Sequence, residues 1–230
     1  MGDNKGTEVE LKLRVRDLAA LMRICVAAKS APAHTARQRN QYLDTEGKAL
    51  DGQRFVFRLR EETTSLESHV FLTAKGPAKK SADGTLSVVP EEEIEVSQDV
   101  AVGIRAGAVD AFDVLANSPS ATDARRALVQ AMKASAGGAA VGVVGEFVNE
   151  RTRVDVEFPE GFKGVLELDR TTFPGDQVQH EVEFEIPAGV DVDRAKAAFE
   201  ALFVRADVKG AAAPGKASRF FKALKGERLT

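Results

Sequence analysis

The 230-residue sequence predicts an α+β protein built on an eight-stranded antiparallel closed β-barrel with a charged interior, covered from outside by amphipathic helices. Three observations lead there. Eight short segments alternate apolar and polar residues with a period of two. The polar faces of several of them carry a single sign of charge. Roughly five amphipathic helical stretches separate them, enough to cover the apolar faces of a closed sheet.

The first strand, 7–16, holds TEVELKLRV, in which Glu8, Glu10, Lys12 and Arg14 alternate with Val9, Leu11, Leu13 and Val15. A helix over 17–29 follows, opened by Asp17, with Leu18, Leu21, Met22 and Cys25 on an apolar stripe. Strands are expected at 38–44, 53–61, 68–75 and 91–97. RFVFRLR sets Arg54, Arg58 and Arg60 against Phe55, Phe57 and Leu59, and EEEIEV sets Glu91, Glu93 and Glu95 against Ile94 and Val96. A helical insert at about 99–140 contains two helices within 99–135. Strands at 146–157, 163–170 and 179–186 complete the eight, followed by helices at 191–205 and 216–225. In these last strands Asn149, Arg151, Arg153 and Asp155 share a face, as do Glu167 with Asp169, and Glu181 with Glu183 and Glu185. Loops rich in Gly, Pro, Ala and Ser fall at 30–34, 76–84, 135–142 and 209–215, none long enough to divide the chain. Residues 1–230 therefore read as one domain.

A charged strand face ordinarily meets water. Like charges side by side are unfavourable, however, unless something neutralises them. Facing inward, acidic and basic strands neutralise one another around a space that an eight-stranded barrel makes wide enough for one small ligand. Guanidinium and ammonium groups grip phosphate oxygens, and carboxylates take hard divalent cations such as Mg²⁺ or Mn²⁺. The lumen suits a polyanion with metal.

A net charge of −3, from 32 basic and 35 acidic residues, leaves no overall field to hold nucleic acid or an anionic membrane. No apolar run approaches the roughly 20 residues that span a bilayer, and the opening residues are too charged for a secretory segment. Cys25, the single cysteine, makes no internal disulfide and reads as a buried thiol in a reducing compartment. The expectation is a cytoplasmic protein.

Several segments, taken together and in order, resemble the CYTH superfamily, the triphosphate tunnel metalloenzymes. Glu8, Glu10 and Lys12 form its ExExK signature, followed by YLDT at 42–45, FRLR at 57–60, LTAKG at 72–76, EEEIEV at 91–96, GEFVNERTRV at 145–154, LELDRTTFPGD at 166–176 and HEVEFE at 180–185. GKASRFF at 215–221 looks like the closing helix, with Gly215 where the family usually has Ser and Ser218 displaced. The run from NERTRV to HEVEFE is most similar to the plant-type tripolyphosphatase branch.

The resemblance implies a tunnel in which Lys12, Arg58, Arg60, Lys75, Arg151 and Arg153 bind a small-molecule triphosphate, with Lys216 and Arg219 closing one mouth. It implies Mg²⁺ or Mn²⁺ shared by Glu8, Glu10, Glu181 and Glu183, with Glu93, Glu95, Glu167 and Asp169 as a further set for a second metal or for orienting water. Glu8, Glu10, Lys12 and Glu183 would carry catalysis, hydrolysing inorganic tripolyphosphate and nucleoside triphosphates. No Ser, Cys or His nucleophile is required. Arg14 and Arg54 are expected in solvent at tunnel ends, Tyr42, Asp44 and Thr45 at a turn, and Lys79 and Lys80 in a solvated loop. His69 can face inward beside Lys75, but three scattered histidines give no metal-ligand spacing.

Three other functions fit the same barrel. A class IV type adenylyl cyclase usually carries a His-Phe pair before ExExK, where this chain has MGDNKGT. A thiamine triphosphatase would stack its organic cation on an aromatic platform, and this chain has no Trp and one Tyr. A non-catalytic polyphosphate or nucleotide sensor would use the same cations only to bind.

Overall fold

The computed structural model describes residues 5–30 and 34–229. Its strands are β1 (Lys5–Val15), β2 (His34–Asp44), β3 (Val56–Thr63), β4 (Ser68–Lys75), β5 (Lys79–Lys80), β6 (Leu86–Val96), β7 (Gly142–Phe158), β8 (Phe162–Phe173) and β9 (Gln177–Glu185). Eight of them pair in the order β1-β9-β8-β7-β2-β3-β4-β6, and β6 pairs back onto β1 to close an antiparallel barrel. The register at closure runs from Lys5 opposite Glu92 to Leu11 opposite Leu86. Closure removes the open edges on which other chains add strands.

The helices are α1 (Leu18–Ala27), α2 (Ala49–Gly52), α3 (Gln98–Arg105), α4 (Ala111–Ala116), α5 (Asp123–Ala136), α6 (Val192–Arg205) and α7 (Lys216–Leu224). Side-chain caps start most of them: Asp17, Ser97, Asp110, Thr122 and Asp191 accept from backbone N–H groups of their first turns. Asp44 and Thr45 hold α2, with Asp44 Oδ1 accepting from the Leu50 amide at 2.9 Å and Thr45 Oγ1 from the Ala49 amide at 3.0 Å. Gly137 ends α5 in the left-handed region at φ 60°, where a side chain is disfavoured.

The hydrocarbon lies outside the sheet. Leu11, Val154, Leu166, Val182 and Phe184 pack under α1 and α6, through Ile24, Phe199 and Leu202. Phe57, Leu59, Val70 and Leu72 pack under the insert, through Ile104, Phe112, Leu115 and Met132. A third cluster, Tyr42, Phe147, Phe173, Phe220 and Phe221, is the exception: it lies on the lumen faces of β2, β7 and β8, where α7 meets one end of the barrel. With the opposite strand faces so covered, alternation turns the charged faces into the lumen.

Several elements differ from expectation. Strands β2, β6, β7 and β8 begin or end several residues beyond the alternating segments, because ladder bonds continue after the hydrophobic period lapses. The insert holds three helices, not two, since Asp110 caps a short extra one. Arg54 is outside its strand, exposed in a turn at φ 62°. Lys79 and Lys80 are exposed as expected, yet they pair with Val88 and Ser87 as a short strand rather than a loop. Tyr42 belongs to the aromatic cluster and not to a turn. The 30–34 loop lies partly outside the described residues. No helix among the described residues is long and apolar enough to cross a membrane.

Candidate active site

The lumen is built by alternation on the eight long strands. One wall is acidic, with Glu167 and Asp169 from β8 and Glu181 and Glu183 from β9. Cations reach it from both sides. Arg151 of β7 donates to Asp169 through Nε at 2.8 Å and Nη2 at 2.6 Å, to Glu183 at 2.6 Å, and also contacts Glu167. Lys12 of β1 lies 2.6 Å from Glu183 and 2.8 Å from Glu10. From α7, Lys216 sits 2.7 Å from Asp169 and 2.8 Å from Glu183 and touches Glu181, which Arg219 also holds. Towards the other mouth, Arg153 bridges Glu62 at 2.8 Å and Glu167 at 3.2 Å, reaching across β2 to do so.

The facing wall comes from β3, β4 and β6. Lys75 lies between Glu8 at 2.6 Å and Glu91 at 2.8 Å, and Arg60 pairs with Glu93 at 2.8 Å. Arg58 differs from these. It forms no ion pair among the described residues, and its hydrogen bond there goes to Asn40 Oδ1 at 3.3 Å. The Nε atoms of Arg58 and Arg60 are buried with no hydrogen-bond partner. Buried donors without acceptors are costly, and these two Nε groups each leave one donor open beside the lumen.

The structure thus brings Glu8, Glu10, Lys12, Arg58, Arg60, Lys75, Glu93, Arg151, Arg153, Glu167, Asp169, Glu181, Glu183, Lys216 and Arg219 around one lumen. Their carboxylates fall into separate groups. Asp169, Glu181 and Glu183, all buried, present oxygens within 4.8 Å of one another. Glu8 belongs instead with Lys75 and Glu91, and Glu10 is tied to Glu183 through Lys12. Glu95 stands apart at the open mouth, 2.6 Å from His69. Arg14 lies half-buried opposite Glu181, its backbone bridged to Ala211.

Some lumen residues were not singled out in the sequence. Gln38, Asn40 and Glu62 are buried there, with Gln38 linking Glu62 at 2.7 Å to Asn149 at 2.9 Å. Alternation alone could have placed them, since Gln38 and Asn40 are two apart and Glu62 follows Arg60 by two.

Electrostatics separate the carboxylates further. Burial pushes the Glu10 carboxyl up to about 7, with Glu183 adding to the rise and Lys12 opposing it. Burial also works against ionised Glu183, but Lys12, Lys216 and Arg151 outweigh it and hold that carboxyl well below the usual range. Asp169 is lowered in the same way, by Arg151 and Lys216 against burial. Of these three carboxyls, Glu10 is the one pushed up towards neutrality.

A stability test follows from that rise. A carboxyl raised from 4.5 contributes stability that is fully present below pH 4.5 and is lost as pH climbs through about 7. With no divalent cation added, the thermal midpoint should fall between about pH 4.5 and 7, and Glu10→Gln should flatten the fall. His69, raised by Glu95, acts in the same direction, and His180, lowered by burial, acts against it. Equal slopes in the two proteins would show that Glu10 does not titrate there.

Towards the α7 end the lumen is stoppered. Tyr42 stacks on Phe220 with ring centroids 4.6 Å apart and on Phe147 at 5.7 Å, and Phe173 lies 5.3 Å from Phe147. Gly145, at a register shift between β2 and β7, has φ 156°, and a Cβ there would meet the Phe220 ring at 3.0 Å. The stopper needs that glycine.

The CYTH domain profile matches residues 6–220. No curated protein matches the chain. Among solved structures, HpAC1 of Hippeastrum, described as a proposed adenylyl cyclase with a dominant triphosphatase activity, is 23% identical, with 96% of this chain and 97% of that one covered at a TM-score of 0.75. A candidate adenylate cyclase of Bacillus halodurans is 21% identical, with 94% and 99% covered at 0.62. The Pyrococcus horikoshii protein PH1819 is 17% identical, with 94% and 99% covered at 0.61. At these identities the likeness is one of fold.

Proposed function

The chain belongs to the CYTH domain family, and from that premise we propose that it is a divalent-metal-dependent triphosphatase acting on inorganic tripolyphosphate, and on nucleoside triphosphates, inside the barrel. The observation that carries the reading is the unpaired Arg58, with Arg60 and Lys75 beside it, facing an acidic wall across one lumen. The triphosphatase activity described for the Hippeastrum protein, on the same fold, supports it.

Asp169, Glu181 and Glu183 fit a hard cation: three buried carboxylates with converging oxygens, which Mg²⁺ and Mn²⁺ prefer as donors. Such an ion, when bound, supplies charge neutralisation and lowers the pKa of water there. The chain's own groups do the rest. Arg58, Arg60 and Lys75 bind phosphoryl oxygens and neutralise charge that would repel a nucleophile. Lys12 and Arg151 hold Glu183 and Asp169 in place. Glu10, with its carboxyl near neutrality, takes the proton at its Oε as water attacks the terminal phosphorus and the bridging P–O bond breaks, releasing phosphate and diphosphate. Glu93 and Glu167 are proposed as supports for Arg60, Arg151 and Arg153, not as ligands, and Glu95, paired with His69, as neither.

A panel of tripolyphosphate, ATP, thiamine triphosphate and pyrophosphate, each with Mg²⁺ and Mn²⁺, should show phosphate released fastest from tripolyphosphate. Cyclic nucleotide from ATP would instead identify a cyclase. Binding without turnover would leave a sensor.

A further inference from the structure

The cation position in the acidic wall is held by the protein itself. Lys216 Nζ lies 2.7 Å from Asp169 Oδ2 and 2.8 Å from Glu183 Oε1, and it touches Glu181 Oε1. These are the three carboxylates whose oxygens converge within 4.8 Å. We propose that Lys216 is a displaceable placeholder for the divalent cation: its ammonium occupies the three-carboxylate cage, leaves when the ion binds, and thereby couples metal occupancy to the position of α7. This inference rests on the reading of the lumen as a metal site.

Three features make the ammonium an exchangeable occupant. First, a divalent cation takes carboxylate oxygens at about 2.0–2.6 Å, so the ion and the ammonium compete for the same small volume and repel each other within it. Second, one ammonium charge is spread over three carboxylates: Nζ pairs with Asp169 Oδ2, Glu183 Oε1 and Glu181 Oε1, all on buried residues, where a divalent ion would bring twice the charge.

Third, the local backbone permits the exchange. Lys216 is the first residue of α7, where the helix dipole disfavours a cation. Gly215 at the N-cap provides no side-chain bond to fix the first turn. One turn further on, Phe220 and Phe221 are buried in the aromatic cluster and anchor the helix. The lysine can leave while Arg219 and Phe221 keep the helix docked, and the shift of its start is passed to Phe220, whose ring lies on Tyr42. Once out of the cage, the ammonium is free to meet the phosphate that the metal helps to hold.

The consequence is a graded charge rule. Removing any lumen cation lessens repulsion of the ion and raises its affinity somewhat, as Lys75→Met should show. Removing Lys216 should raise it several-fold more, because the occupant of the cage is gone as well as its charge. Mg²⁺ binding without any phosphate compound, followed by titration calorimetry, should be at least about tenfold tighter in Lys216→Met than in the wild type. Lys216→Gln should show the same gain, which guards against a folding defect peculiar to the first variant. Lys216→Arg, which keeps the charge, should show none.

The chain also contains its own reporter. Tyr42 is its single tyrosine, there is no tryptophan, and the Tyr42 ring rests on Phe220 of α7. Mg²⁺ should change tyrosine emission in the wild type and change it less in Lys216→Met. Wild-type binding of Mg²⁺ with equal or weaker binding in Lys216→Met and Lys216→Gln would overturn the placeholder and leave the metal site standing. No Mg²⁺ binding in any of the proteins would overturn both.

Discussion

Arg151→Ala is expected to lower the thermal midpoint by about 10 °C and to cut phosphate release from tripolyphosphate by at least about a hundredfold. Its guanidinium is the hub of the acidic wall, bonded to Asp169 and Glu183 and in contact with Glu167. Deleting one partner of a buried ionic group costs about 3–5 kcal/mol, because the charges left behind have lost their compensation. In a chain of this size each kcal/mol corresponds to roughly 2–4 °C. Activity falls further than stability because Glu183 and Asp169 lose the group that fixes their orientation.

The deficit should depend on pH with a definite sign. Asp169 and Glu183 are held below the usual carboxylate range, partly by Arg151. Their contribution is present above the unfolded carboxylate value and is lost as pH falls through the lower folded value. The gap between wild type and variant should therefore be full at pH 7 and narrow in acid. Arg151→Lys should recover more stability than activity, since a single ammonium replaces charge but not a two-pronged grip. Calorimetry and a phosphate-release assay check both points. A variant with wild-type midpoint and turnover would mean that the hub is idle.

The same chemistry outside the barrel should behave differently. Arg125 of α5 is 1% exposed, and its Nε donates to Glu92 at 2.9 Å while Nη1 donates to Ser118 at 2.6 Å and Ser120 at 3.1 Å. Glu92 points out from β6, between the lumen-facing Glu91 and Glu93, so this pair rivets the helical insert to the wall. Arg125→Ala should destabilise the protein by about 3–5 kcal/mol, since Glu92 would be left buried and unpaired. Turnover per folded molecule should stay within about threefold of wild type. Arg125→Met combined with Glu92→Leu should recover most of the loss, because a buried ion pair exchanged for apolar packing is often neutral. If the stable double variant were inactive, the insert would have a direct part in the site.

Much of this was legible in single strands. Glu8, Glu10, Lys12, Arg58, Arg60, Arg151 and Glu183 all lie on polar faces that period-two alternation marks, and those faces do turn inward. The strand that alternation starts at 53 begins only at Val56, because a turn at φ 62° at Arg54 leaves that side chain in solvent. Asp44 and Thr45 hold a turn, but Tyr42 beside them packs its ring against Phe220, far away in the chain. The insert showed its helices but not their number, since a six-residue helix such as α4 carries too few turns for a clear period.

The amino-acid order by itself determined which side chains share a face, where charge and hydrocarbon separate, and so that a closed sheet would carry its ionic groups inside. Only the tertiary structure decided which of those groups meet. Asp169 joins Glu181 and Glu183, Glu8 goes to Lys75 and Glu91, Lys216 enters the acidic cage, and Arg58 is left without a carboxylate partner among the described residues. The reason is register. Alternation is local to a strand, but proximity across the barrel depends on how far each strand is shifted against its neighbours, and that shift is set only when β6 pairs with β1 and the sheet closes.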